Sequence, residues 1–261
     1  MQLFRKVAKV NIKIMGVAVI VYSLLVIPKV MAMSAEQITA LEPYGILAVL
    51  LGAGSAVLRY AQRQFSKMKR GFDIVMASVG IVLTFPLVAV SALLIKVFSP
   101  HGSIFYTQTR VGMNGRIFKI YKLRSMIPDA EKTTGAVWAN EDYDPRVIPV
   151  IGDFIRKSHI DEIPQFINVL KGEMSVVGPR PERPEIVEGL KKKVLQYEKR
   201  LDVRPGITGL AQIRHRYDKT LNDVRKKVKL DLLYIRKMCL LGELRILFMT
   251  FLVVFKGKVL N

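Results

Sequence analysis

KRGFDIVMASVGIVLTFPLVAVSALLIK, residues 69–96, is the stretch that decides how this chain is organised. Inside it, residues 74–95 form a run of roughly 22 nearly pure apolar residues, which by length alone reads as a membrane-spanning helix. The flanks oppose that reading. Lys67, Lys69 and Arg70 precede the run, and Lys96, Arg110, Arg116, Lys119, Lys122 and Arg124 follow it. Lys and Arg near membrane segments stay on the cytoplasmic side, so both ends want the same face. A segment that enters and leaves on one face must bend, and Pro86 sits mid-run, where proline removes a helix hydrogen bond and clashes with the preceding turn. Thr84 is placed to cap the freed backbone. Two readings stay open: a re-entrant helix over about residues 72–98, broken at Pro86, or a Pro-kinked helix that spans. The second would export most of the basic chain, so the first is favoured.

Toward the N-terminus lie two further apolar runs, residues 14–33 and 44–60; the second is shorter and rich in small residues (Gly52, Ala53, Gly54, Ser55). Small residues allow close helix–helix contact, so the two runs are expected to form a transmembrane hairpin. Arg5, Lys6, Lys9 and Lys13 precede it and Arg63 and Lys67 follow it, whereas the connection carries Glu36 and Glu42 and no Lys or Arg. Both ends are therefore expected in the cytoplasm, with Lys29 snorkelling to the outer interface. No small-residue cleavage site follows the first run, which reads as a retained anchor. The expected organisation is a hairpin over residues 1–68 and a second domain over residues 69–261, cytoplasmic from about residue 99.

Lys and Arg number 41 against 21 Asp and Glu, a formal charge of +20 in a chain that is 51% hydrophobic. So basic a protein needs an anionic partner: nucleic acid, anionic lipid or a phosphorylated substrate. The single Cys239 excludes a disulfide framework and a cysteine zinc site, and three scattered histidines offer no metal cage. A divalent ion would have to be held by carboxylates and substrate phosphates, which suits Mg²⁺.

After Lys96 the chain reads as mixed α and β. Residues 103–110 and 116–124 are two strands around Met113-Asn114-Gly115, a hairpin signal. Asp144-Pro145 marks a turn. Ile186, Leu190, Val194, Tyr197 and Leu201 fall at helical spacing over residues 185–201, and Leu221, Val224, Val228, Leu232 and Ile235 form a second such stripe, with Arg225, Lys226, Lys227 and Lys229 around it. The apolar run 244–255, closed by Lys256 and Lys258, is too short to span and reads as an interfacial helix.

The chemically suggestive centre is Arg156-Lys157-Ser158-His159-Ile160-Asp161-Glu162-Ile163-Pro164-Gln165. Pro164 suits a first helical turn, so a helix is expected to begin between Ser158 and Asp161, placing Asp161 and Glu162 at its positive end. Acids there serve as simple caps, worth about 0.3–1 kcal/mol. The same position also favours phosphate and keeps a nucleophilic carboxylate ionised. Lys122-Leu123-Arg124-Ser125-Met126 with Asp129 downstream, and Gly178-Pro179-Arg180-Pro181-Glu182-Arg183-Pro184, a stiff turn around Arg180, invite a phosphate reading too. Each alone is more often a surface loop than a site.

Together these pieces resemble the bacterial sugar transferases, the monotopic phosphoglycosyl transferases, over residues 69–257. In family order the chain carries KRGFDIVMAS from Lys69, FYTQTRVG from Phe105, YKLRSM from Tyr121, DPRV from Asp144, the Asp161–Gln165 core, NVLKGEMSVVGPRPE from Asn168 and RPGITGLAQ from Arg204. The resemblance implies an α+β, helix-rich, membrane-associated catalytic domain with a re-entrant broken helix, here preceded by a transmembrane hairpin. It implies transfer of a sugar-1-phosphate from a UDP-sugar to polyprenyl (undecaprenyl) phosphate with release of UMP, the first membrane step of exopolysaccharide, capsule, O-antigen or glycan assembly. Asp161 would be the nucleophile and a ligand of Mg²⁺, and Glu162 would assist it. Arg156 would grip a phosphate and Arg180 the nucleotide, while Lys122, Arg124 and Asp129 would line the site. The expected place is the inner membrane, with the catalytic domain on its cytoplasmic face; membrane lipids are partners, nucleic acid is not, and a homodimer is compatible. The chain departs from the family pattern at Thr84-Phe85-Pro86, where Ser-Pro is usual, and at Ile148 and Asp153, where Thr and a basic residue are usual. A non-enzymatic basic membrane scaffold, binding anionic lipid or nucleic acid, would explain the charge and the anchors but not the dyad. A glycosyltransferase that moves sugar alone would release UDP.

Overall fold

The computed structural model describes residues 43–128, 130, 144–215 and 220–256. The expected first hairpin arm (14–33), the connection before Pro43 and Asp129 lie outside them. Two compact units are present, Met1–Lys69 and Arg70–Asn261. In the first, the described residues are helical.

Helix α1, Pro43–Phe98, takes in both the run expected as the second hairpin arm and the run expected as a separate re-entrant helix. They are one element because residues 59–70, between them, hold no Gly or Pro and several good helix formers. Nor does a break separate the two sides of Pro86, which lies inside the helix. Proline deprives the Val82 carbonyl of its donor, but its fixed φ suits a helix, and one lost bond does not end it. Thr84 does not cap that carbonyl; its hydroxyl donates to Gly80 O (2.6 Å), one turn back. Among the described residues one stretch, Phe65–Phe98, is long and apolar enough to cross a membrane.

Within the second unit, α1 buries one stripe: Asp73, Ala77, Ser91 and Ile95, at helical spacing. Polar anchors hold its first turns. Arg70 donates to the carbonyls of Val169 and Leu170, at the end of a short helix, Gln165–Lys171, and Asp73 accepts from Ser175 Oγ (2.9 Å) and Val176 N (3.0 Å). At Gly80 the two helices meet so closely that a Cβ would stand 2.8 Å from the Phe166 ring. At the far end Ile95 packs with Leu123, Ile148, Ile151, Ile155 and Ile160. The outward face, with Val82, Leu83, Phe85 and Leu93, is open.

Strands β1 (Phe105–Val111) and β2 (Ile117–Leu123) form the expected antiparallel hairpin. Asn114 (φ 56°) and Gly115 (φ 76°) both adopt the left-handed turn conformation, which is why Asn-Gly marks such turns. Then follow α2 (Gly152–Lys157), a 3₁₀ turn (Ile160–Glu162), α3 (Gln165–Lys171) and β3 (Ser175–Val177). The buried Asn168 on α3 accepts from Tyr121 N (3.0 Å) and donates to Lys119 O (2.8 Å), tying that helix to β2. Helix α4 (Pro184–Lys193) precedes β4 (Gly206–Thr208), which pairs in parallel with β3. At their crossing a Cβ on Gly206 would lie 2.0 Å from Gly178 N, so both GPRP and RPGITG need glycine there.

The helix expected over residues 185–201 ends early. Val194 is extended and Gln196 has φ 61°, after which Tyr197–Asp202 form a 3₁₀ turn. Packing outweighs propensity: the turn sends Tyr197 into a core with Val111, Val187, Val194, Val224 and Val228, and buries Arg200 beside Asp231. Short α5 (Leu210–Arg214) leads to α6 (Leu221–Arg236), which opens with a Thr220–Asp223 capping box. Helix α7 (Leu240–Lys256) is longer than the apolar run suggested. Ile246, Leu247, Met249 and Val253 pack inward near Ala77, while Leu241, Leu244, Phe248 and Phe251 face outward.

Candidate active site

Lys122 stands near the end of β2, and its ammonium meets both acids of the dyad: Glu162 Oε1 at 2.8 Å and Asp161 Oδ2 at 3.9 Å. Arg180 grips Glu162 from the other side with two nitrogens, Nη2 to Oε1 at 2.6 Å and Nη1 to Oε2 at 3.1 Å. Glu162 therefore has both oxygens committed to cations. Asp161 does not: its Oδ1 is buried with no hydrogen-bond partner among the described residues.

The dyad is not at a helix N-terminus as expected. It occupies the 3₁₀ turn Ile160–Glu162, entered through His159 in the left-handed conformation (φ 57°), and α3 starts only at Gln165 with Pro164 as its cap. The amides beyond the acids are spent on local bonds, Glu162 N to His159 O and Ile163 N to Ile160 O. Ile160, buried with Ile95, Leu123 and Ile155, fixes the turn. Cations rather than amide dipoles thus set the local field.

That field separates two adjacent carboxyls. Burial pushes Asp161 up to about 6, the Glu162 charge adds to it, and Lys122 opposes. Burial would raise Glu162 also, but Arg180 and Lys122 together hold it well below the usual carboxylate range. One acid is a permanent anion locked between two cations; the other is poised near neutrality with a free oxygen.

A cavity of about 500 Å³ opens over Asp161, with Lys122, Arg124, Arg156 and Arg183 on its walls. Arg156 is steered by Asp144 (3.8 Å), itself gripped through two oxygens by Arg146, whose hydrogen bond holds Asp144 below its ordinary value. Arg124 lies on the wall, but its guanidinium donates to Ser99 O, Ser99 Oγ and Ser103 O, so it holds the end of α1 against the hairpin. Arg180 reaches Glu162 rather than the cavity wall. Pro86 is on the exposed face of α1.

Sequence reasoning singled out the dyad, Lys122, Arg156 and Arg180, which the fold gathers. It missed Arg183 on the cavity wall, Asp144 behind Arg156, and an ionic lattice behind Arg180. In that lattice Lys227, read as one of several cations around α6, is buried against Glu182 (2.8 Å). Arg110 also meets Glu182 (3.8 Å), and Arg200 pairs with Asp231 (2.7 Å) while donating to the Arg180 carbonyl (3.1 Å). These partners are 20–72 residues apart, and no spacing rule connects them. Among the described residues no group of three or more His, Cys, Asp or Glu gathers. Among the described residues the cavity is lined by one carboxylate, Asp161. One such ligand, completed by substrate phosphates and water, is how Mg²⁺ is commonly held, so the residues fit that ion.

An acid dyad set among cations, beside a long apolar helix, is an arrangement suited to phosphate chemistry near a membrane. Residues 64–257 match the family model described as bacterial sugar transferase, and the chain belongs to that family. It is 44% identical over 193 residues to the UDP-N-acetylgalactosamine-undecaprenyl-phosphate N-acetylgalactosaminephosphotransferase of Aeromonas hydrophila, covering 74% of this chain and 45% of that one. It is 42% identical over 196 residues to the UDP-glucose:undecaprenyl-phosphate glucose-1-phosphate transferase of Escherichia coli (strain K12), covering 74% and 40%. With the exopolysaccharide production protein ExoY of Rhizobium meliloti (strain 1021) it shares 39% identity over 198 residues, 70% of this chain and 83% of that one. The matched part thus spans less than half the length of the first two.

Proposed function

We propose that this protein transfers a sugar-1-phosphate from a UDP-sugar to undecaprenyl or a similar polyprenyl phosphate, releasing UMP, at the cytoplasmic face of the inner membrane. The observation that carries this reading is Asp161, a buried carboxylate with one uncommitted oxygen, under a cavity walled by Lys122, Arg156 and Arg183.

In the first half-reaction a carboxylate oxygen of Asp161 attacks the β-phosphorus of the donor. The bond from that phosphorus to the oxygen bridging to the α-phosphate breaks, and its electrons leave with UMP. Lys122 and Arg156 offset the charge that accumulates on the phosphoryl oxygens, the kind of preorganised stabilisation that lowers such barriers. Glu162, clamped by Lys122 and Arg180, positions those cations and does not compete as a nucleophile. Mg²⁺, held by Asp161 and the substrate phosphates, would supply further neutralisation of the diphosphate. In the second half-reaction a phosphate oxygen of the lipid attacks the phosphosugar ester, restoring the Asp161 carboxylate and forming the lipid-linked diphosphosugar.

Purified protein in detergent, given Mg²⁺ and UDP-sugars in turn, is expected to release close to one equivalent of UMP without lipid. Polyprenyl phosphate should then restart turnover with ping-pong kinetics. Release of UDP would overturn the assignment. UMP release that strictly requires lipid would replace the covalent step by direct attack in a ternary complex.

The anchoring of α1 supports this membrane arrangement. Arg70 and Asp73 at one end of its apolar stretch, and Ile95 and Ser99 at the other, are all tied to the same unit. A unit on one face of a bilayer cannot hold both ends of a spanning helix, which supports a reading in which residues 74–95 of α1 lie in the membrane without crossing it and Val82, Leu83 and Phe85 meet lipid. Single cysteines at Gly71 and Ser103, in a Cys239→Ser background, are expected to resist an impermeant thiol reagent in spheroplasts and to react only after lysis. Labelling of Ser103→Cys alone in intact spheroplasts would mean that the helix spans.

A further inference from the structure

The cavity has a second wall that the phosphate chemistry leaves unused. In the β1–β2 hairpin Tyr106 stands directly across from Lys122. Gln108 and Arg110 follow on that same face, since alternate residues of a strand share a side. Tyr106 and Gln108 both line the cavity that holds Asp161 and Lys122. The Gln108 carboxamide is oriented: its Oε1 accepts from Arg110 Nη2 at 2.5 Å, and Arg110 is itself held by the Pro181 carbonyl (3.0 Å) and by Glu182 (3.8 Å). An amide committed through its oxygen keeps an N–H₂ group with which to donate.

These groups match the parts of a nucleotide. The cavity that holds Asp161 and cations suited to a diphosphate also carries, on the β1 strand, an aromatic ring beside an amide donor. A pyrimidine base presents a π-face and carbonyl oxygens, which are the complements of those two groups. Every base stacks on an aromatic ring, and such stacking is worth enough to dominate a small site. The cavity volume, about 500 Å³, is also within the range of small-molecule sites.

We propose that Tyr106 and Gln108 form the base-binding end of the site, with the donor's pyrimidine stacked on the Tyr106 ring and a base carbonyl accepting from Gln108 Nε2. The inference rests on the reading of the donor as a UDP-sugar and adds to it the residues that recognise the nucleoside. Arg110, one residue pair further along the strand, is a positioning residue for Gln108.

The test is calorimetric binding of UMP, uridine and a sugar-1-phosphate to the purified full chain in detergent, alongside donor kinetics. Tyr106→Ala is expected to weaken UMP and uridine by roughly 10-fold or more, the scale of one lost stacking contact, and to raise donor KM rather than lower kcat. Tyr106→Phe, which keeps the ring, should restore affinity. Gln108→Ala should cost a few-fold, as for one hydrogen bond. Sugar-1-phosphate binding should not change in any of them. Thermal melting near that of the parent establishes that the variants fold, and Tyr106→Leu provides a second ring-less side chain. UMP affinity unchanged in both ring-less variants would overturn the proposal, as would a loss that falls on the sugar-1-phosphate instead. A parent protein that binds no UMP would sink the donor reading itself, whereas a parent that binds and turns over beside unaffected variants sinks only the subsite.

Discussion

Asp161→Asn is expected to abolish turnover, by about 10⁴-fold or more on the scale of a lost nucleophile, while making the folded protein more stable at neutral pH. Both effects come from the same burial. In the folded protein the Asp161 carboxyl sits at about 6 rather than at its ordinary 3.8. A carboxyl raised in this way favours folding while it is protonated, fully so below its unfolded value, and that contribution is lost as pH rises through about 6. At about 1.4 kcal/mol for each pH unit, the ionised acid costs the fold on the order of 3 kcal/mol at pH 7. Asparagine keeps the shape and never ionises, so it removes this cost along with the nucleophile. Chemical denaturation at pH 7 and pH 4 checks the point: the variant should exceed the parent at pH 7, and the difference should shrink toward pH 4. In the parent, the lipid-independent release of UMP should fall about tenfold for each pH unit below 6, because only the ionised oxygen attacks. Retained turnover in Asp161→Asn would remove the residue from the chemistry. A destabilised variant with no turnover would leave its role structural.

Asp231→Ala is expected to cost about 3–5 kcal/mol of stability, the usual result of removing one partner from a buried ion pair. Arg200 and Asp231 are both almost wholly buried and meet at 2.7 Å. The burden is unequal: burial pushes Asp231 up despite its partner, while Arg200 is held more firmly protonated than usual. Without Asp231 the guanidinium would be a buried charge met by Tyr197 Oη and the Arg180 carbonyl, with Glu182 as its remaining nearby anion. Because that carbonyl belongs to the residue gripping Glu162, catalysis should fall as well, through looser placement of the cations. The double replacement Arg200→Met with Asp231→Leu removes both charges and should recover much of the stability without restoring full turnover. Equal stability of Asp231→Ala and the parent would show that the pair is open to solvent.

Some of this was legible from residue types alone. The Asn114-Gly115 turn was visible because two consecutive left-handed conformations need those residues, and α6 was visible because its apolar stripe repeats at helical spacing. The Asp161-Glu162 pair stood out by its setting among cations. Other features were hidden. Val194 continues a helical stripe in sequence, yet the chain turns there, because Tyr197 and Arg200 gain more from a core and a partner on other elements than from one more helical turn. Pro86 reads as a break, yet a helix tolerates the loss of one bond. The acids read as a helix start, yet the 3₁₀ turn places them where Lys122, 40 residues upstream of Glu162, and Arg180, 18 residues downstream, can close on that residue.

What the sequence determined by itself was therefore local or compositional: an apolar helix with basic flanks, a hairpin, amphipathic helices, and a short list of acids and cations suited to phosphate. Periodicity, turn chemistry and charge act over a few residues, so they can be read along the chain. Only the tertiary structure decided that Glu162 is a locked anion and Asp161 a poised one, that Arg124 holds α1 instead of facing a substrate with a free guanidinium, and that Tyr106 lines the same cavity as Asp161. Those outcomes depend on burial and on distances between residues far apart in sequence, and electrostatic energy is set by both.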